Sequence, residues 1–276
     1  MFRIFYTACL AFILGSCAVV SVQSRLERAD ILAKRAGFEY TEIKTGTFTL
    51  AAYYRLRPRG DIATYVEGDG FAYVSSRELS TDPTPITPTG LILAISDSAD
   101  SVVYIARPCQ YVKLEHEKQC SKQYWSTHRF AEEVIASYDQ ALDQIKASLM
   151  ATGFHLVGYS GGGAVAVLLA ARRDDIKSIR TVAGYLDHVA LNEEIGVAPL
   201  WGSLDPMNAA RSLEGIPQVH YSGEGDSVIP TWVSQNFTAA VGNPACARSV
   251  MVDRVSHESG WETFWLMESS TMPACF

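Results

Sequence analysis

No run of basic residues interleaved with aromatics occurs anywhere in this chain, and its formal net charge is -7. The clustered positive footprint that nucleic-acid recognition needs is therefore missing. There is no Cys-x-x-Cys and no cysteine with a clustered histidine partner, which removes the usual zinc-ligand spacings. Internal repeats and low-complexity stretches are absent, so the 276 residues read as one folded domain rather than an array. Nor does any segment reach the roughly 20 apolar residues that a membrane-spanning helix requires. Charged residues make up only 19% and hydrophobic ones 48%, far too apolar a balance for a disordered chain.

The most apolar stretch is Ile4 to Leu14, preceded by Arg3 and followed by charge at Arg25, Glu27, Arg28 and Asp30. That is the layout of a signal-peptide h-region. It ends in Leu14-Gly15-Ser16-Cys17, which resembles the lipobox of bacterial lipoproteins. The resemblance implies that residues 1–16 are removed and that Cys17 is diacylated, tying the protein to a membrane. A plain secretory signal, cleaved after Ser16 or Ala18 with Cys17 incidental, is the alternative. The lipobox resemblance also implies, through Ala18 in place of an Asp, the outer membrane facing the periplasm. Residues 17–37 would then be an anchor and linker with a short helix near Ser24 to Gly37, and residues 38–276 the folded domain.

Cysteine usage fits export. With Cys9 inside the signal and Cys17 set aside, Cys109, Cys120, Cys246 and Cys275 remain of the six. An even number in an oxidising compartment points to two disulfides. Three pairings are possible, and the neighbours Cys109–Cys120 and Cys246–Cys275 are the most natural. Free buried thiols are the alternative.

From residue 38 onward strand and helix signals alternate, the pattern of a mostly parallel sheet with helices on both faces. Thr47–Tyr54 and Ile62–Val66 are rich in β-branched and aromatic residues. Ser80–Gly90 is dense in Pro and Thr and reads as loop. Ser101–Ala106 and Phe154–Val157 are short apolar runs suited to buried parallel strands. His128–Met150 carries apolar residues at three- and four-residue steps, which predicts a helix. Gly161–Ala171 reads as a helix of small residues, Ile179–Ala183, Gln218–Tyr221 and Ser249–Asp253 as strands, and Gly260–Met267 as a closing helix. Leu186–Gly215 looks like a small excursion rather than a large cap.

Gly158-Tyr159-Ser160-Gly161-Gly162 matches Gly-x-Ser-x-Gly, the nucleophile elbow. The serine must sit on a tight turn between strand and helix, where side chains two residues to either side would collide. Here HLV precedes it and GGAVAVLLAA follows, the context the motif demands. The helix N-terminus then points N–H groups at developing negative charge. A Gly-rich turn without chemistry is the plainer reading.

Such a serine needs a base, and the base an orienting carboxylate, in the chain order Ser, acid, His. His257 follows the strand SVMVD and precedes the last helix, where a base can reach back over the sheet. His220 falls within a strand and reads as a packed core histidine, while His188 comes early. For the acid, Asp226 stands on the turn GEGDSVIP after the strand QVHYS, with Asp187 and Glu224 as rivals. An oxyanion hole needs two N–H donors, each worth about 3 kcal/mol. Gly161 supplies one. Asp69 or Gly70, on the glycine-spaced turn after Tyr65-Val66-Glu67, supplies the other, unless that turn is only a hairpin carrying Gly for positive φ. Arg107-Pro108-Cys109-Gln110-Tyr111 either lines the substrate entrance or is a loop pinned by a disulfide.

Through YVEGDGF, YIARPCQY, GYSGGG and GEGDSVIP the chain resembles the α/β-hydrolase superfamily, and bacterial alpha/beta-hydrolase lipoproteins within it. The likeness covers most of Thr47–Trp261, with Glu67 standing where many esterases carry the His of a His-Gly motif. It implies acyl transfer to water by Ser160, His257 and Asp226, acting on a small-molecule or lipid ester without metal or organic cofactor. A serine peptidase or thioesterase would use the same residues. A binding lipoprotein on a degenerate hydrolase fold is the non-enzymatic alternative.

Overall fold

The computed structural model describes residues 20–276. The expected signal, Cys9 and Cys17 lie outside the described residues. Among the described residues there are ten strands: β1 (Glu39–Lys44), β2 (Thr49–Arg55), β3 (Gly60–Val66), β4 (Tyr73–Ser75), β5 (Glu78–Leu79), β6 (Val102–Ile105), β7 (Ala151–Tyr159), β8 (Ile176–Val182), β9 (Gln218–Gly223) and β10 (Ala247–Val252). The helices are α1 (Val22–Arg35), α2 (Thr89–Ile95), α3 (Glu132–Leu149), α4 (Gly161–Ala170), α5 (His188–Glu194), α6 (Pro206–Ala209), α7 (Thr231–Val241) and α8 (Trp261–Glu268).

Eight strands form one sheet in the order β1-β2-β6-β3-β7-β8-β9-β10, with β4 and β5 paired as a separate hairpin. β2 runs antiparallel to both its neighbours, and every pairing from β6 to β10 is parallel. This is the topology of the α/β-hydrolase fold, as the alternation of elements led one to expect.

The central strands are apolar on both faces because both faces are covered. Along β6 and the residue after it, Val103 and Ile105 point into one core while Val102, Tyr104 and Ala106 point into the other. Helices α3, α4 and α7 close the first face, and α1, α2 and α8 the second. In α3 the residues Val134, Ile135, Tyr138, Ala141, Leu142 and Ile145 form the buried stripe, and Glu132 and Glu133 sit in the first turn, where the helix dipole favours negative charge.

Several boundaries differ from the sequence reading. The expected helix at His128 starts only at Glu132, because residues 126–131 form turns tied elsewhere. Phe130 N–H donates to Ser203 Oγ and Leu204 N–H to the Phe130 carbonyl, at 3.1 and 3.0 Å. The loop read at Ser80–Gly90 gives way to α2 at Thr89. The excursion carries α5 and α6, and the segment from Ser24 lies in α1, a regular helix that ends at Arg35 and buries Arg25, Ala29 and Ala33. Both expected disulfides are present, Cys109–Cys120 and Cys246–Cys275.

His220 is the packed core histidine that its strand position implied. It lies fully buried, with Nδ1 2.9 Å from Thr181 Oγ1 and Nε2 3.1 Å from Gln218 Oε1. Burial pushes its pKa down to about 3. The folded protein thus keeps this ring neutral while the unfolded chain protonates it below roughly pH 6.5. Unfolding is then accompanied by proton uptake, and the ring's contribution erodes as pH falls from 6.5 toward 3. Urea unfolding at pH 7 and pH 4 should show wild type losing about 3 kcal/mol more than His220→Gln over that interval. Equal losses in the two proteins would contradict this.

Candidate active site

Strand β7 ends in a turn that places Ser160 at φ 49° and ψ -120°. Positive φ is uncommon for a residue with a Cβ and costs about 1–3 kcal/mol. The surroundings hold it there. Ser160 N–H donates to the Val182 carbonyl at 2.9 Å, and its own carbonyl accepts from Gly163 N–H and Tyr185 N–H at 2.9 and 3.0 Å. The flanking glycines are needed for close approach. A Cβ on Gly158 would come 2.2 Å from the Gly162 carbonyl oxygen, and one on Gly162 would come 2.3 Å from that of Val66.

The base candidate reaches back over this turn. His257 Nε2 lies 3.1 Å from Ser160 Oγ, and His257 Nδ1 lies 2.9 Å from Asp226 Oδ2. The carboxylate of Asp226 is fully buried, and its other oxygen accepts from the N–H groups of Val228 and Ile229, both at 2.8 Å. The imidazole is steadied through its backbone. Tyr159 Oη and Trp261 Nε1 both donate to the His257 carbonyl at 3.0 Å. The rival acids stand elsewhere: Asp187 caps α5 through Ala190 N–H and accepts from Asn236, while Glu224 accepts from Arg254 N–H. His188 is buried with Nε2 on the Leu204 carbonyl.

The turn after β3 lies against the nucleophile. A Cβ on Gly68 would sit 3.2 Å from Ser160 Cβ, and one on Gly161 would meet Asp69 Oδ1 at 2.2 Å. Gly70 has φ 67°, and a Cβ there would strike the Pro83 carbonyl at 2.1 Å. Among the described residues the N–H groups of Asp69 and Gly161 have no protein acceptor, as donors awaiting an oxyanion should not.

Glu67 fixes this turn from below. It is buried and accepts from Gly68 N–H, Gly90 N–H, Leu91 N–H and Tyr104 Oη at 2.9, 3.0, 3.4 and 2.9 Å. Burial raises its pKa, and these donors counter part of that rise. Since Pro88 gives α2 no side-chain cap, Glu67 serves the orphan N–H groups of that helix. The residue standing in the place of a His is thus a scaffold for the turn.

The segment Arg107–Tyr111 does not line the entrance. It backs the turn instead. Gln110 Nε2 donates to the Gly68 carbonyl at 3.1 Å, and Cys109 is bridged to Cys120. Arg107 donates to Asp69 Oδ1 at 2.9 Å with only 4% of its side chain exposed. A second arginine, not foreseen from the sequence, completes the group: Arg129 Nη1 lies 2.6 Å from Asp69 Oδ2. Burial alone would raise the Asp69 pKa, but the two guanidinium groups outweigh it and hold the carboxyl below the usual range.

Above Ser160 opens a cavity of about 620 Å³ that includes His257, Tyr159, Asp69, Arg129 and Phe71 in its walls. Tyr73, Pro85, Ile86 and Val228 add apolar surface to the lining, and Thr87, Thr89 and Glu258 polar surface. A serine–imidazole pair open to the cavity, backed by a buried carboxylate and with unpaired N–H groups beside the serine, is equipped for nucleophilic attack on a carbonyl and stabilisation of the resulting oxyanion.

No family model matches the chain, and no curated protein matches it. Solved structures do. The esterase Pf2001 of Pyrococcus furiosus superposes with a TM-score of 0.57 at 14% identity, over 86% of this chain and 91% of that one. Est1E from Butyrivibrio proteoclasticus gives 0.54 at 15% identity, over 83% and 95%. A puromycin-hydrolysing peptidase of Mycobacterium tuberculosis gives 0.56 at 14% identity, over 84% of this chain but 37% of the peptidase. At such identities the likeness is one of fold.

Proposed function

We propose that the protein is a serine hydrolase that cleaves carboxylic esters in the cell envelope. The observation that carries this reading is the chain of contacts from Ser160 Oγ through His257 to Asp226, 3.1 and 2.9 Å long, at the floor of one cavity. In it, Ser160 Oγ attacks the ester carbonyl as His257 Nε2 takes its proton. Asp226 holds the imidazole in the required tautomer and stabilises the imidazolium. The N–H groups of Gly161 and Asp69 receive the oxyanion. His257 then protonates the departing alcohol, leaving an acyl group on Ser160. Water, activated by the same imidazole, releases the acid.

Esterases and peptidases of similar fold divide on which leaving group they protonate, so a matched panel of ester, thioester and peptide substrates tests the reading. Ester turnover well above the peptide, abolished in Ser160→Ala, is the expected result. Peptide or thioester preference would move the assignment to that class, and no turnover on any of the three would favour a binding protein.

Membrane attachment through diacylated Cys17 belongs to the same proposal. It is supported by the lipobox-like sequence Leu14-Gly15-Ser16-Cys17 that follows the apolar run. Cells fed a labelled fatty acid should incorporate it into wild type and not into Cys17→Ala. Equal labelling would remove the anchor from the account.

A further inference from the structure

The wall of the cavity beside Ser160 holds one arginine, Arg129, which belongs to a buried cluster with Asp69 and Arg107. Asp69 is one carboxylate held by two guanidinium groups, Arg107 at 2.9 Å and Arg129 at 2.6 Å. Taken together the three side chains bear one net positive charge. Their roles differ by position. Arg107 is sealed behind the turn, with its guanidinium over the Phe130 ring at 5.3 Å, and takes no part in the cavity wall. Arg129 is a wall residue, with 12% of its side chain exposed.

Arg129 is also held in place. Its Nε donates to the Ser126 carbonyl at 2.8 Å, its Nη1 to Asp69, and the guanidinium lies 6.0 Å from the centre of the Tyr185 ring. Nη2 is left as the guanidinium nitrogen with no acceptor among the described residues. A rigid, partly desolvated arginine that keeps one donor free in a cavity is suited to an anionic oxygen, through a charge-assisted hydrogen bond.

Neither of the other two acidic residues in the wall is paired with Arg129. Glu67 has both oxygens engaged by four donors, and Glu258 is exposed to solvent beside His257. Asp69 is already ionised and paired, and its carboxyl stays below the usual range.

The geometry points to an anion subsite at Arg129 Nη2: the preferred substrates are esters that carry a second, negatively charged group, such as half-esters of dicarboxylic acids. This rests on the hydrolase reading above and narrows it to a substrate class. Asp69 and Arg107 act as positioning residues, and Arg129 as the residue that sets specificity.

The test compares the mono-p-nitrophenyl ester of glutaric acid with its neutral counterpart of similar length, p-nitrophenyl valerate. A second pair places the charge on the leaving group, 4-acetoxybenzoate against its methyl ester. Wild type should favour at least one anionic member by tenfold or more in kcat/KM, and the favoured pair shows on which side of the carbonyl the subsite lies. Arg129→Gln should collapse that ratio at least tenfold, and Arg129→Lys should keep part of it. Thermal unfolding of each variant identifies a simple loss of fold. Anionic and neutral esters falling in equal proportion in Arg129→Gln would overturn the subsite, as would wild type with no anionic preference in either pair. Should the protein hydrolyse nothing, binding separates the two ideas. Monomethyl glutarate should then bind Ser160→Ala, seen by ligand-observed NMR, and lose its signal when Arg129→Gln is added. Absence of binding, or binding that ignores Arg129, would overturn the proposal independently of the hydrolase reading.

Discussion

Asp226→Asn should lower kcat for ester hydrolysis by about 10⁴-fold while leaving the fold intact. The carboxylate does two things at once. Oδ1 accepts from the N–H groups of Val228 and Ile229, and Oδ2 faces His257 Nδ1 at 2.9 Å. An asparagine can keep the first contact with its carbonyl oxygen, so the turn keeps its shape. Its NH2 group then faces Nδ1 as a donor. The imidazole must accept there, which puts the ring proton on Nε2, the atom that has to receive the serine proton. Base catalysis fails although each atom stays near its place. Steady-state kinetics beside thermal unfolding reads both halves: a drop near 10⁴ with an almost unchanged Tm. Asp187→Asn, a surrogate for the rival acid, should leave the tautomer alone, since Asp187 serves the α5 N-terminus and Asn236. A larger kinetic loss in Asp187→Asn than in Asp226→Asn would contradict the assignment.

Gly162→Ala should destabilise the protein by about 4 kcal/mol, toward the extreme of single substitutions. The added carbon would lie 2.3 Å from the Val66 carbonyl oxygen and 2.5 Å from that of Glu67. Both are backbone atoms, at the end of β3 and in the turn that approaches Ser160. No flexible side chain is there to give way. The strand end, the helix α4 or both must shift, and the turn carrying Asp69 moves with them. A Tm lowered by roughly 8–16 °C, with a further loss of kcat beyond the unfolded fraction, is the expected result. Gly215→Ala makes the control, since a Cβ there meets nothing within 4 Å. Similar stability of the two variants would show that the close approach at Gly162 is not real.

What was legible in the sequence follows from how local the cause is. The strand, the elbow and α4 sit within about twenty consecutive residues, and their glycines and apolar runs are determined by neighbours in the chain, so β7 and Ser160 could be read directly. The acid and base are legible only through their order along the chain. Asp226 and His257 each follow a recognisable strand, and the structure brings them together with Ser160.

Other elements depend on distant partners. β1, with the sequence EYTEIK, lies at the sheet edge with only Ile43 buried, so no alternation marks it. α2 begins next to Pro88, contains Gly90, and relies on the Glu67 carboxylate from another element to satisfy its first N–H groups. Glu67 could be seen as a departure from a family motif, but its function as a cap could not. Arg129 is the clearest case. In sequence it is one arginine within an apparently helical stretch. Only the pairing of residues 60 positions apart makes it a wall of the cavity beside Ser160. Arg107 stands at the end of a strand, and that position serves Asp69 rather than the entrance.

The proposed hydrolysis depends on the Ser160 hydroxyl being the nucleophile that His257 activates. Intact-mass and peptide-mass measurement after exposure to a fluorophosphonate reads this directly. One adduct per chain is expected, carried by the peptide that contains Ser160, absent in Ser160→Ala and formed far more slowly in His257→Ala. An adduct on another residue, or one that persists undiminished in Ser160→Ala, would contradict it.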